Sequence, residues 1–411
     1  MAASLAKLTA AALSVPNRVP SSIIYVFNVR RPQRNARGVT VPFVDLSSSH
    51  VSLKTQILAD ISRVIDNGAF VNGPAVEGFE QEFATYCESK HCVGVGSGLD
   101  GLRLGLLAAG IEPGDEVIVP ALTFVATAEA VVQAGGAPVL VDVSDRDYNI
   151  DPVAVEAAVT PRTRFVLPVH LYGQLADMTS LEVIAAHRGL SIVEDACQAH
   201  GAVRDGRKAG SIGLAAAFSF YPAKNLGALG DAGACVTSDS ALAEKVRALR
   251  EHGQRRRYEH DLQGYTARLD TIQASALLHK LPLLDQWNDQ RREATVAYEQ
   301  GLAGVGDIRL PQVAPGSHPA WHLYVIRTAR PDELGAFLGE RGIQTGRHYP
   351  RPVHLQAAFA SLGAGPGTFP VAERLAAEAV SLPLFPGISA EQLDAVISSV
   401  LEYFRRGGDG I

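Results

Sequence analysis

Residues 190–202 read LSIVEDACQAHGA, and residues 215–233 read AAAFSFYPAKNLGALGDAG. Each opens as a short apolar run of the kind that fills a buried strand, then gives way to residues that carry chemistry. Glu194 and Asp195 end the first run. Ser219 lies in the second, and Lys224 follows it in a Pro- and Gly-rich turn. A strand-end Asp also serves as a helix N-cap, and most lysines are solvated surface charges. A lone buried carboxylate or ammonium is costly, however, so such groups have partners or a task.

Outward from these two stretches the same pattern repeats. EVIVP (116–120), PVLVDV (138–143), RFVLPVHL (164–171) and AGACVTS (232–238) are short, apolar and bounded by Gly, Pro or Asp. Helical segments separate them, such as LDGLRLGLLAAG (99–110), whose Leu99, Leu102 and Leu106 fall on one face. Strands alternating with helices predict an α/β fold with a wound, mostly parallel sheet. A long helical stretch, LPLLDQWNDQRREATVAYEQGL (281–302), then leads into a mixed region. We therefore expect a large domain over 41–285 and a smaller C-terminal α/β domain over 286–411. Residues 1–38 contain no acidic residue and cluster Arg30, Arg31, Arg34 and Arg37. Residues 1–40 read as an extension outside the fold, a mobile tail or the product of a start placed too far upstream.

Composition bounds the function. A chain of 411 residues with 47% hydrophobic and 19% charged residues buries a sizeable core. Its net charge of −6 offers no basic excess for nucleic acid. Cys87, Cys92, Cys197 and Cys235 follow neither zinc spacing nor a disulfide framework, so we expect reduced thiols, no metal and a cytoplasmic protein. No apolar run is long enough for a membrane span.

Open α/β sheets bind ligands at the carboxyl ends of their strands. In KHCVGVGSGLDGL (90–102) the chain passes from strand to helix through Gly96, Ser97 and Gly98, where small residues let backbone N–H groups face an anion. Glycine also serves such turns for tightness alone. Gln198 stands three residues after Asp195. Pyridoxal phosphate needs this combination: a lysine for a Schiff base, a carboxylate against the pyridine nitrogen, and N–H and hydroxyl donors for the phosphate. Phe124, in PALTFVATAEAV (120–131), is placed to cover the ring, although by spacing alone it reads as a core residue.

PALTFVATAEAVVQAGGAPVLVDV (120–143), PVHLYGQLADM (168–178), EDACQAHGA (194–202) and AFSFYPAKNLGALGDAGACVTSD (217–239) together resemble the DegT/DnrJ/EryC1/StrS family of sugar aminotransferases. The resemblance runs from VPFVDL (41–46) to VSLPLFPGIS (380–389). It implies the fold type I architecture of pyridoxal phosphate enzymes and a homodimer with shared active sites. It implies Lys224 as the Schiff-base lysine and proton carrier, Asp195 on the pyridine nitrogen, and Gln198 near the ring hydroxyl. Ser219, Ser97 and the backbone of Gly98 and Leu99 fall to the phosphate, and Phe124 to the ring face. Glu194, on the other side of a regular strand, receives no catalytic part. A lysine at 224, where some members carry histidine and dehydrate, implies transamination, with glutamate as the donor and 2-oxoglutarate released.

GSGLDGL (96–102) and TGRHYPRPVHLQAAF (345–359) are similar to members that aminate C3 of a dTDP-linked 3-keto-6-deoxyhexose, placing His348, Tyr349 and His354 near the sugar. A C4 aminotransferase acting on a nucleotide-linked 4-keto sugar is the nearest alternative. A regulatory protein that binds the cofactor without turnover is the alternative of another class. Where relatives often carry Gly-x-Asn-x-Arg, with the Asn reaching the partner subunit's phosphate, this chain has GYTARLD (264–270). Thr266, a shorter donor, takes that place. Arg255, Arg256 and Arg257 stand just upstream and read as a solvated charged loop or a contact for a diphosphate.

Overall fold

The computed structural model describes residues 39–407, so the expectation for residues 1–38 lies outside the described residues. Seven strands form the central sheet: β1 His91–Val95, β2 Glu116–Pro120, β3 Ala137–Val141, β4 Thr163–Val166, β5 Ser191–Asp195, β6 Ala215–Ser219 and β7 Gly233–Thr237. Their order across the sheet is β1-β7-β6-β5-β4-β2-β3. β7 runs antiparallel to β1 and β6, and the remaining pairs are parallel. Both faces are covered, which is why strands such as EVIVP and GACVT are apolar without alternation.

Helix α1 (Gly98–Ala109) packs on β6 and β7 and against α2 (Ala126–Gln133) and α3 (Ser240–Arg250). The one-faced pattern read from Leu99, Leu102 and Leu106 is too narrow for this position. Leu102 and Leu106 enter one apolar cluster and Leu104 another, while Leu99 is only partly buried. A helix wedged between a sheet and two neighbours is buried on more than one side.

The long helix α4 (Leu284–Leu302) leads into the C-terminal region. There β8 (Tyr324–Arg327) and β9 (Ala379–Leu382) pair antiparallel, flanked by α5 (Pro331–Glu340) and α6 (Ala390–Gly407). Tyr298, Tyr324, Leu334, Leu382 and Val400 share one core. Val41 belongs to that core as well. Its N–H donates to the Gly342 carbonyl, and its own carbonyl accepts from Gln344 N–H, each at 2.9 Å. The start of the expected 41–285 domain thus packs with the C-terminal region, because an apolar VPFVDL with no strand beside it in the central sheet finds a partner at Ile343. No helix among the described residues is long and apolar enough to cross a membrane.

Candidate active site

The carboxyl ends of β1, β5 and β6 meet around the N-terminus of α1. Asp195, the last residue of β5, is buried. Its Oδ2 accepts from Thr127 Oγ1 at 2.7 Å and its Oδ1 from the Cys197 N–H at 3.2 Å. Thr127 is in turn 2.9 Å from Thr123 Oγ1, so two hydroxyls from the loop and helix after β2 orient the carboxylate. Glu194 points to the opposite face. It accepts from His170 Nε2 at 2.9 Å and from the N–H groups of Gly210, Ile212 and Gly213. Burial alone would raise its pKa, but the His170 bond and the backbone donors outweigh it and hold Glu194 below the usual carboxylate value. This fully bonded side chain has structural work of its own.

Ser97 caps α1: its Oγ accepts from the Asp100 N–H at 3.1 Å. The first N–H groups of a helix have no partner within it. With that of Asp100 taken by the cap, those of Gly98 and Leu99 remain for a ligand. The backbone around them is tightly enclosed. A Cβ on Gly98 would lie 2.6 Å from Cys197 Sγ and 2.8 Å from Ser219 Cβ, and one on Gly233 would lie 2.3 Å from the Ser97 carbonyl carbon. Only a hydrogen fits at either place, so β7 closes on the helix end and Ser219 stands directly beside it.

Lys224 follows β6 in a turn closed by its own N–H on the Tyr221 carbonyl at 2.8 Å. Its ammonium hydrogen-bonds to no described residue. Burial pushes the amine below the ordinary lysine value, with Asp195 pulling the other way. Gln198 is anchored at both ends, its Oε1 accepting from the Tyr172 N–H at 2.7 Å and its Nε2 donating to Tyr349 OH at 2.9 Å. Phe124 is 53% exposed, with its ring 5.6 Å from that of Tyr349. It is therefore not a core residue, as spacing alone implied, but lies at the surface beside Tyr349.

Among the expected sugar contacts, the structure separates one from the other two. His348 stacks on Phe43 at 5.5 Å, its Nδ1 is 2.8 Å from Ser381 Oγ, and its carbonyl accepts from Tyr172 OH. Burial and then the charge of Lys224 push its imidazole down to about 4. Tyr349 joins it to Gln198. His354 is 2% exposed, donates from Nε2 to Glu373 at 3.0 Å and meets the Phe369 ring edge-on at 4.9 Å. A short helical turn over Val353–Leu355 carries this imidazole into the interior, onto its Glu373 and Phe369 contacts. Thr266 is exposed and sits 3.0 Å from His252 Nε2.

The sequence reading missed Thr127, which braces Asp195, and the pair His170–Glu194. TFVAT places Thr123 and Thr127 four apart, the spacing of one helical face, and this was the available signal. It also missed the contacts of Asn225, whose Nδ2 donates to Asn288 Oδ1 at 2.8 Å and whose Oδ1 lies 3.2 Å from His322 Nδ1, because these residue types carry no fixed spacing.

The sequence profile described as the DegT/DnrJ/EryC1/StrS aminotransferase family matches residues 51–401. The chain belongs to that family. It is 49% identical over 366 residues to the dTDP-3-amino-3,4,6-trideoxy-alpha-D-glucose transaminase of Streptomyces venezuelae, covering 89% of this chain and 97% of that one. It is 50% identical over 360 residues to the erythromycin biosynthesis sensory transduction protein EryC1 of Saccharopolyspora erythraea, covering 88% and 98%. The crystal structure of S. venezuelae DesV in complex with a ketimine intermediate superposes with a TM-score of 0.87 at 49% identity, over 89% of this chain and 99% of that one. NtdA from Bacillus subtilis, solved with bound cofactor PMP, superposes with a TM-score of 0.83 at 32% identity, over 90% and 87%. The fold is that of the fold type I aminotransferases, and the chain is an aminotransferase.

The residues at the strand ends fit the pyridoxal phosphate that this family implies. A half-buried amine with no hydrogen bond to a described residue, a braced carboxylate, N–H groups at a helix end and an adjacent serine hydroxyl are the groups that its Schiff-base, ring-nitrogen and phosphate contacts would need.

Proposed function

We propose that this aminotransferase moves an amino group from glutamate to C3 of a dTDP-linked 3-keto-6-deoxyhexose, with pyridoxal phosphate as cofactor and a homodimer as the working unit. The observation that carries the chemistry is the meeting of Lys224, Asp195 and the Gly98 and Leu99 end of α1 at adjoining strand ends. The choice of sugar is supported by the 49% identity, along nearly the whole chain, to a transaminase named for a 3-amino sugar.

When bound, pyridoxal phosphate supplies an electron sink and a carbonyl through which nitrogen passes between donor and acceptor. Gly98, Leu99, Ser97 and Ser219 would hold its phosphate, with α1 contributing the positive end of its dipole. Asp195 would keep the ring nitrogen protonated, its own position fixed by Thr127. Gln198 would face the ring hydroxyl, and Phe124 would cover the ring and exclude water. Lys224, made less basic by burial, is suited to carry a proton to and from the substrate carbon. His348 and Tyr349, at the rim, would bond the hexose. Thr266 and residues 255–260 are exposed and would meet the second copy.

The test is product analysis. Purified enzyme with glutamate and either the 3-keto or the 4-keto dTDP-sugar is examined by mass spectrometry and NMR. Amine at C3 is expected. Amine formed only from the 4-keto sugar overturns the C3 reading and leaves the aminotransferase intact. Sedimentation that finds a fully active monomer overturns the shared site.

A further inference from the structure

The turn that carries Lys224 is closed on itself. The Lys224 N–H donates to the Tyr221 carbonyl at 2.8 Å, and the Ala228 N–H donates to the Phe220 carbonyl at 2.7 Å. A Cβ on Gly227 would lie 2.3 Å from the Pro222 carbonyl oxygen, so the two arms touch and only glycine fits between them. A group that holds Gly227 therefore holds the turn on which Lys224 sits.

One helix, Thr271–Lys280, grips this turn twice. Gln273 and Lys280 stand seven positions apart, the spacing of a single helical face. Gln273 Oε1 accepts from the Leu229 N–H at 2.8 Å, and Lys280 Nζ donates to the Gly227 carbonyl. Lys280 is only 2% exposed, and a buried ammonium is costly unless it is bonded. Its other partner is His50 Nε2, at 2.7 Å. His50 Nδ1 bonds to the Leu46 carbonyl, which can only accept, so Nδ1 carries the imidazole proton and Nε2 the lone pair. Lys280 is thus the donor to both partners. Burial pushes its amine down to about 8, which leaves the ammonium form dominant at neutral pH. Burial, and after it the charge of Lys280, holds His50 below the ordinary imidazole value. Hydrogen bonds therefore run unbroken from Leu46 through His50 and Lys280 to Gly227.

We propose that Lys280 is a positioning residue for Lys224: its bonds to Gly227 and His50 form a strut between residues 46–50 and the turn, and fix where the Lys224 amine stands. This rests on Lys224 as the reactive lysine.

Single-turnover rates per cofactor-loaded subunit separate positioning from stability. Lys280→Met keeps the length of the side chain but cannot donate. Its limiting rates should fall about tenfold to hundredfold in both half-reactions, with half-saturating glutamate and keto sugar within about threefold of the parent. Lys280→Arg restores a donor and should recover most of that loss. Unchanged limiting rates in Lys280→Met, or equal losses in the two variants, overturn the proposal. His50→Leu removes the strut from its far end and keeps the test open where Lys280→Met does not fold. A loss of about threefold to tenfold is expected there, and an unchanged rate overturns the proposal. Nitrogen-15 NMR of histidine-labelled holoenzyme, with His50 assigned by His50→Gln, reads the strut without turnover. A proton on Nδ1 alone at pH 7 is expected, and a proton on Nε2 overturns the proposal. Borohydride labelling of a lysine other than Lys224 defeats the underlying assignment instead, and the His50 tautomer then still reports whether the strut stands.

Discussion

On the floor of the site, Asp195 is bonded by Thr127 and the Cys197 N–H, while Gly98 is pressed between Cys197 and Ser219. On the rim, His348 and Tyr349 lean on Phe43, Ser381, Gln198 and Phe124, side chains drawn from four separate stretches of the chain. The floor consists of backbone and short side chains at strand ends, where a single added methyl has no room. The rim consists of long side chains touching at their tips. Under the proposed function, chemistry and substrate choice would be held by different kinds of contact, and a rim residue could change without dismantling the floor.

The most severe way to break this division is Lys224→Ala. Its turnover should fall by at least about 10²–10⁴-fold from loss of the proton carrier alone, while thermal unfolding stays near that of the parent. A variant with substantial steady-state turnover would remove Lys224 from the floor. Thr127→Val keeps the shape but withdraws a hydroxyl from a buried carboxylate. The loss should be about tenfold to hundredfold, shared by the glutamate and keto-sugar half-reactions in single-turnover assays. His348→Ala, on the rim, should lose about tenfold in the keto-sugar half-reaction only. Equal losses in both halves would place His348 with the floor.

His354→Ala sharpens the same boundary from outside the site. It should cost about 1–3 kcal/mol in denaturant unfolding, from the lost Glu373 bond and the void left behind, with both half-reactions unchanged. The gentlest effect is on acid stability. Burial, and after it the charge of Lys224, holds His200 near about 3 and His348 near about 4, both below the ordinary 6.5. An unfolded chain takes up those protons first, so stability is flat above about pH 6.5 and declines as pH falls from there toward about 4. Melting temperatures across that interval should show the slope, and His348→Asn should make it shallower.

The strand ends were legible because strand, turn and functional residue are contiguous: SIVED ends in Asp195, and Ser219 precedes Lys224 by five positions. Phe124 resisted the same treatment, since an apolar residue beside a strand reads as core until the surface around it is known. The burial of His354 was hidden for the converse reason. A histidine in a motif looks available, but a three-residue helical turn sets its direction, and sequence spacing does not report that. Asn225, Asn288 and His322 meet only in three dimensions, 63 and 97 positions apart from the first, and no period or motif links them.

The docking of Val41 beside Ile343 has a consequence for how the chain is made. At about 5–20 residues per second, synthesis takes roughly 15–60 s to travel from one to the other. Through that interval the earliest described residues have no core to enter, although the sheet between them is already emerging. Val39, which packs against the same core as Val41 in the finished protein, stays exposed for the same time. The first apolar stretch of the fold is thus among the last to be buried, and a chaperone acting on a nascent chain would find it there longest.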